Sequence, residues 1–139
     1  MLEYPSGFED TSFRKRGCCG ILAIAMATGV SFERARKACK AGMLPHQKRM
    51  GVRTYYRQRM NALWMLGVKT ASVYNCDMGS VEYWIKNHAK LDTNYIISIR
   101  GHTMSYRNNA IGDQKGIYNY MLRPHIARQK IMEITEILA

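Results

Sequence analysis

The apolar and polar positions of this chain follow a helical period in its first half and a strand period in its second half. Cys19 to Thr28 has no polar face, which predicts a helix that is buried on all sides and ended by Gly29. Phe32 to about Ala41 has an apolar stripe opposite a basic face and predicts a second helix. Two more helices are predicted, from Tyr55 to Leu66 and from Val81 to about Ala89.

The second half is rich in β-branched and aromatic residues, which favour strands. Asn108-Asn109 lies between two such runs and predicts the turn of an antiparallel hairpin. Gln129 to Leu138 would also suit a helix, but its β-branched residues favour a closing strand. The other predicted strands are a short one from Thr70 to Tyr74 and longer ones from Asn94 to Arg100, His102 to Arg107 and Ala110 to Gln114.

The order of these elements predicts the fold class, since helices come first and strands come last. We expect an α+β domain in which N-terminal helices pack on a small C-terminal antiparallel sheet. With 139 residues the chain suits a single domain, residues 1–139, built around one core. Residues 1–17 are predicted to be an irregular lead-in, and residues 115–128 an excursion before the last strand.

The distribution of charge along the chain indicates a class of binding partner. The net charge is +11, and no acidic residue occurs between Glu33 and Asp77, where ten basic residues lie. Such a stretch predicts attraction to nucleic acid or to an acidic protein surface, although a solvated face of the second and third helices is the simpler interpretation. Interleaved aromatic and basic residues suit stacking on nucleic acid, and the candidate binding residues are Arg49, Arg53, Tyr55, Tyr56, Arg57 and Arg59.

Several other classes of protein are not indicated. No apolar run approaches the roughly 18 residues needed to cross a membrane, and the first residues do not have the pattern of a signal peptide. We therefore expect a cytosolic protein with free thiols. The cysteines and histidines lack the spacing of a zinc site, so neither a metal nor a cofactor is expected. These residues are Cys18, Cys19, Cys39, Cys76, His46, His88, His102 and His125.

One cysteine is a candidate nucleophile. Cys19 begins the buried helix, where the helix N-terminus and the preceding Arg14-Lys15-Arg16 favour a thiolate. A nucleophilic cysteine also needs a base and a group that orients the base. His102 and Asp113 lie on the two strands of the predicted hairpin and are expected to meet as cross-strand neighbours. Asn108-Asn109 offers an alternative orienting group but is better placed in the turn.

Each of these residues also has a plainer interpretation. Free cysteine is commonly a small buried core residue, and this is the expected role of Cys18. Cys19 alone would be interpreted in the same way. Only its combination with His102 and Asp113 favours a catalytic role.

These motifs resemble the papain-like cysteine peptidase fold, in the small version found among uncharacterised bacteriophage proteins. Cys19 leads into Ile24-Ala25-Met26-Ala27-Thr28-Gly29, and Ile99-Arg100-Gly101-His102 supplies a histidine motif. Asp113 stands where the family has its aspartate. The resemblance covers roughly residues 16–114, and the chain order of cysteine, histidine and aspartate matches that of the fold.

The resemblance implies a hydrolase that cuts a peptide, isopeptide or related amide bond in a bacterial host cell or a virion. Cys19 would attack, His102 would act as base and then acid, and Asp113 would orient His102. The family places an amide side chain shortly before the cysteine, but Thr11 to Arg14 contain none. The expected oxyanion donors are therefore the backbone N–H of Cys19 with Ser12 or Arg14. The alternative is an inactive papain-like binding or virion protein that holds nucleic acid or an acidic partner through its basic face.

Overall fold

The computed structural model describes residues 1–8, 18–41, 56–73 and 79–138. These residues form an α+β fold, as predicted from the order of the elements. The α-helices of the described residues are α1 (Cys19–Thr28), α2 (Phe32–Ala41), α3 (Tyr56–Met65), α4 (Val81–Asn87) and α5 (Pro124–Ala127). The strands are β1 (Lys69–Val73), β2 (Tyr95–Ile99), β3 (His102–Arg107), β4 (Ala110–Asp113), β5 (Gly116–Asn119) and β6 (Ile131–Leu138).

The six strands form one antiparallel sheet in the order β1-β6-β2-β3-β4-β5. The last strand, β6, lies between β1 and β2 and pairs with both. This confirms the prediction that the last segment is a closing strand and not a helix, because a segment at this position must supply hydrogen bonds to two neighbouring strands. The sheet also takes in β1 from the middle of the chain, so its strands are not all C-terminal.

Each face of the sheet carries its own hydrophobic cluster. On the central strand β2, Ile96 packs in the cluster that contains α1, α2 and α3, whereas Ile97 and Ile99 pack in the cluster that contains α4 and α5. Successive side chains of a strand point to opposite faces, so β2 is buried on both sides along its whole length. The segregation of helices is thus partial: the first three cover one face, while α4 and α5 cover the other.

Helix α1 lies in the centre of the first cluster. Every residue from Gly20 to Ala27 is buried, which confirms the prediction of a helix without a solvent-exposed face. Gly29 ends α1 in the left-handed conformation, with φ of 80°, and its N–H donates to the carbonyl of Ala25. Gly112 on β4 permits a close approach, since a Cβ there would lie 2.3 Å from Met26 Cε. The helix that begins with Cys19 is therefore held firmly against β3 and β4.

The hairpin of β3 and β4 forms as predicted. Asn108 and Asn109 both have positive φ, 46° and 69°, as the two central residues of a type I′ turn require. The Asn108 side chain accepts a hydrogen bond from the N–H of Asp92 and donates one to its carboxylate. Both asparagines are thus committed to the turn, and neither lies where His102 could use it as an orienting group.

The predicted excursion over residues 115–128 contains regular structure that the sequence analysis missed. Its first part is strand β5, which pairs with β4 from Ala110↔Asn119 to Asp113↔Gly116. A 3₁₀ turn (Tyr120–Leu122) and the short helix α5 follow and return the chain toward β6. This segment supplies Arg123, which lies against the candidate site.

Some predictions concern residues outside the described ranges. They include most of the lead-in and the loop from Met43 to Gly51, and the individual residues Ser12, Arg14, Arg49, Arg53, Tyr55 and Cys76. Among the residues that the structure does describe, no helix has the length and apolar character needed to cross a membrane.

Candidate active site

The candidate nucleophile, Cys19, occupies the first residue of α1 and is partly accessible to solvent. Cys18 before it is completely buried and caps the helix without a side-chain hydrogen bond. Backbone N–H groups at a helix N-terminus lack intrahelical partners and carry a partial positive charge. The fold therefore presents a thiol at the one end of a buried helix where a negative charge is favoured.

His102 is the first residue of β3 and follows a tight reversal from β2. Gly101 in that reversal has φ of 77°, and the first pair of the two strands is Ile99↔His102. Nε2 of His102 lies 2.8 Å from Oδ2 of Asp113, the last residue of β4. The predicted contact between His102 and Asp113 is therefore present.

The register of the hairpin explains how these two side chains meet. The paired residues of β3 and β4 run from Ser105↔Gly112 to Arg107↔Ala110, so His102 lies beyond the paired part of β3. Continuing this register puts Met104 opposite Asp113, with His102 as the diagonal neighbour two residues away. Long side chains in such diagonal positions remain within reach of each other.

The structure also brings Cys19 to His102. The Cys19 thiol lies close enough to the His102 side chain and to the backbone N–H of Thr103 for both groups to lower its pKa. Because Nε2 of His102 is occupied by Asp113, Nδ1 is the ring nitrogen left for the sulfur. The three predicted residues thus lie together, and the imidazole of His102 interacts with both the thiol of Cys19 and the carboxylate of Asp113.

Asp113 is held in place by two groups besides His102. Nη1 of Arg123 donates to the same oxygen, Oδ2, while Oδ1 accepts the backbone N–H of Lys115 at 2.9 Å. The Asp113 side chain is 1% exposed. Burial alone would raise its pKa, but the hydrogen bonds from His102, Arg123 and Lys115 outweigh it and lower the pKa to about 2. Asp113 is consequently an ionised, fixed acceptor over the whole physiological range.

Arg123 is a site residue that the sequence analysis did not identify. Its guanidinium lies 5.1 Å from the centroid of the Tyr118 ring, in cation–π geometry, and its side chain is 9% exposed. No spacing motif pointed to it, since its place beside Asp113 depends on the path of the chain through β5 and the 3₁₀ turn.

The pKa values of His102 and Cys19 are shifted in opposite directions. The hydrogen bond to Asp113, followed by the interaction with Cys19, raises the pKa of His102 to about 9 despite burial. Burial pushes the pKa of Cys19 upward, but the interactions with the His102 side chain and the backbone N–H of Thr103, together with the charges of His102 and Arg59, bring it below its ordinary value of 9.0. These shifts favour a thiolate–imidazolium pair, which titrates as a unit.

The other described cysteines are in different environments. Cys18 is fully buried, and its sulfur accepts a hydrogen bond from Nε2 of Gln114 at 3.6 Å. Burial raises the pKa of Cys18, and it raises that of Cys39 to about 12. Both therefore remain protonated thiols near neutral pH, so Cys19 is the cysteine among these three that is activated.

Of the six candidate binding residues, the three that the structure describes differ in their exposure to solvent. Arg57 is exposed, but Tyr56 is partly buried and Arg59 is only 6% exposed. The prediction that Arg59 contributes to a basic outer face is wrong, because its guanidinium points into the protein and pairs with Glu133 at 3.4 Å. Arg49, Arg53 and Tyr55 lie outside the described residues. Binding of nucleic acid or an acidic protein by the remaining basic residues stays a prediction.

Within the described residues, no group of three or more histidine, cysteine, aspartate or glutamate side chains is placed to hold a metal ion. The arrangement that is present can hold a thiolate beside a proton donor whose ring is fixed by a buried carboxylate. This combination is suited to attack on a carbonyl carbon, followed by proton transfer to the leaving group. Comparisons of the chain with family models, with curated proteins and with solved structures gave no significant match.

Proposed function

We propose that this protein is a papain-like cysteine hydrolase that cleaves a peptide or related amide bond. The observation that carries the proposal is the juxtaposition of Cys19, His102 and Asp113: Nε2 of His102 lies 2.8 Å from Oδ2 of Asp113, and the imidazole is close enough to the Cys19 thiol to lower its pKa. The sequence resemblance supports the same function, because the chain order and the element bearing each residue agree with that fold. A nucleophile at a helix N-terminus and a base on an antiparallel sheet are the parts that this chemistry requires.

The reaction has two halves on this geometry. In the first, the Cys19 thiolate attacks the carbonyl carbon, and the imidazolium of His102 gives its proton to the departing amine, which leaves a thioester on Cys19. In the second, neutral His102 takes a proton from water, which attacks the thioester and releases the acid. Asp113 does not change protonation state, and it keeps Nε2 of His102 occupied so that Nδ1 faces the sulfur.

Charge that develops on the carbonyl oxygen needs hydrogen-bond donors. The backbone N–H of Cys19 at the start of α1 is suited to this task because no side chain of the described residues caps that end of the helix. Ser12 and Arg14, the other donors expected from the sequence, lie outside the described residues. The proposal thus assigns one donor from the described part of the chain.

Turnover of a simple acyl ester, p-nitrophenyl acetate, tests the proposal without knowledge of the natural substrate. We expect repeated turnover that is lost in Cys19→Ser and reduced by at least about 100-fold in His102→Ala, since general acid–base catalysis commonly contributes that much. Cys39→Ser is the matched control and should leave turnover unchanged. Equal turnover by wild type and Cys19→Ser would refute the proposal.

A further inference from the structure

A second ionic group, formed by Arg59 and Glu133, lies on the face of the sheet covered by α1, α2 and α3. Nη2 of Arg59 on α3 donates to Oγ of Ser98 at 3.1 Å and to Oε2 of Glu133 at 3.4 Å. Ser98 Oγ in turn is hydrogen-bonded to Oγ1 of Thr103 at 3.0 Å, across the directly paired positions of β2 and β3. These contacts connect Arg59 to Thr103, whose backbone N–H lies close enough to the sulfur of Cys19 to lower its pKa.

We propose that the buried Arg59–Glu133 pair is a positioning element for Cys19. Through Ser98 and Thr103 it fixes the backbone N–H that binds the sulfur, and through its net charge it controls how readily the sulfur is held as thiolate. The inference rests on the proposed function, since it concerns the nucleophile of that reaction. It assigns Arg59 and Glu133 a role that neither the resemblance nor the sequence pattern gives them.

Burial of this pair is the first argument for a functional role. The side chain of Arg59 is 7% exposed and that of Glu133 is 18% exposed. Helix α3, which carries Arg59, also contributes Ala62 and Leu63 to the hydrophobic cluster on one face of the sheet. Removing two charges from water is costly, and well-packed apolar residues often serve stability as well or better. Perturbed ionic groups next to a nucleophile are characteristic of functional sites.

The charges around the pair provide the second argument. Arg59 acts electrostatically on Glu133, Cys19, Cys39 and Tyr56, whereas Cys19 is influenced by His102 and Arg59 and lies next to Cys18. Among the described residues, Arg59 is thus a second positive charge, besides the imidazolium of His102, that favours the Cys19 thiolate. It favours the thiolate even in steps of the reaction where His102 is neutral.

Glu133 moderates that effect. Burial raises the pKa of Glu133, although Arg59 opposes the shift. While Glu133 is ionised it offsets the charge of Arg59, and on acidification it takes up a proton at a higher pH than an ordinary glutamate does. The pair then becomes net positive, which favours the thiolate more strongly as the solution becomes more acidic.

The test compares three variants by the pH at which alkylation of Cys19 by iodoacetamide reaches half its maximal rate, measured on the Cys19 peptide by mass spectrometry. Arg59→Met is expected to raise this midpoint by about one pH unit, since an opposite charge close by shifts a pKa by that order. Arg59→Lys keeps the positive charge, so its midpoint is expected to lie close to that of wild type. Glu133→Gln is expected to move the midpoint in the other direction, to lower pH, because it removes the offsetting negative charge.

Opposite signs separate this role from a purely structural one, since general damage to the packing would not lower the midpoint in one variant and raise it in another. Glu136→Gln is the matched control, because Glu136 lies on the same strand and pairs with Lys90 instead. Its midpoint should equal that of wild type. If Arg59→Met does not fold, as judged by circular dichroism, Glu133→Gln and Arg59→Lys decide the question.

If the alkylation midpoint of Cys19 in wild type is near pH 9.0 and His102→Ala leaves it unchanged, the proposed function itself fails. A low wild-type midpoint that rises in His102→Ala but stays fixed in the Arg59 and Glu133 variants would overturn this inference alone. Shifts of the same sign in Arg59→Met and Glu133→Gln would overturn it as well.

Discussion

Replacement of His102 by alanine is expected to slow alkylation of Cys19 by iodoacetamide at pH 6.5 by about 10- to 100-fold. The imidazolium is the principal group that lowers the pKa of the Cys19 thiol, whereas burial raises that pKa. Without His102 the thiol should titrate near or above its ordinary value of 9.0, so only a small fraction would be thiolate at pH 6.5. The higher intrinsic nucleophilicity of a more basic thiolate recovers part of the loss.

The control for this experiment is His88→Ala, because His88 is an exposed histidine at the end of α4. It should leave the alkylation rate of Cys19 unchanged. Cys18 and Cys39, which are buried, should react slowly in both variants and serve as internal references. An alkylation rate in His102→Ala equal to that of wild type would show that the imidazole does not activate Cys19.

Removal of the Asp113 carboxylate is expected to lower the free energy of unfolding by about 3–5 kcal/mol, the usual cost of leaving one partner of a buried ion pair alone. Asp113→Ala leaves the buried guanidinium of Arg123 without its carboxylate and the ring of His102 without its acceptor. The measurement is equilibrium unfolding in urea at pH 7, with wild type and variant compared under the same conditions.

An exposed ion pair provides the control. Asp92 lies 3.7 Å from Arg107 and is 80% exposed, so Asp92→Ala should cost much less than Asp113→Ala even with the loss of its contacts to Asn108. Since the pKa of Asp113 is lowered from 3.8 to about 2, its contribution to stability is present above pH 3.8 and is lost as pH falls toward 2. A decrease of less than about 1 kcal/mol in the free energy of unfolding of Asp113→Ala would contradict the presence of a buried ion pair at this position.

The elements that the sequence predicted well are those whose local pattern agrees with their burial. Helix α1 has no polar position, and the structure buries it on all sides. The hairpin of β3 and β4 has two asparagines at the positions that need positive φ. Strand β5 was missed because Gly116–Asn119 is too short for a clear alternation and is recognisable only through its pairing with β4.

The residues of the candidate site likewise fall into those that the local sequence pattern indicates and those that it does not. Cys19, His102 and Asp113 were recognisable because a helix start and a hairpin place residue types at known positions. Arg59 was assigned to the wrong environment because helix α3 lacks a clear apolar stripe, and its partner Glu133 lies 74 residues further along the chain. Arg123 likewise reaches Asp113 through the path of a segment that no periodicity describes. Contacts of this kind are fixed by tertiary structure, not by local pattern.

The ionisation of Cys19 tests the central claim most directly. The difference in ultraviolet absorbance of the thiolate between wild type and Cys19→Ser, followed as a function of pH, reports this single sulfur. The predicted result is a titration midpoint clearly below pH 9.0 in wild type and a midpoint at about 9.0 or above in His102→Ala. A midpoint at or above 9.0 in wild type, unchanged by His102→Ala, would contradict the account.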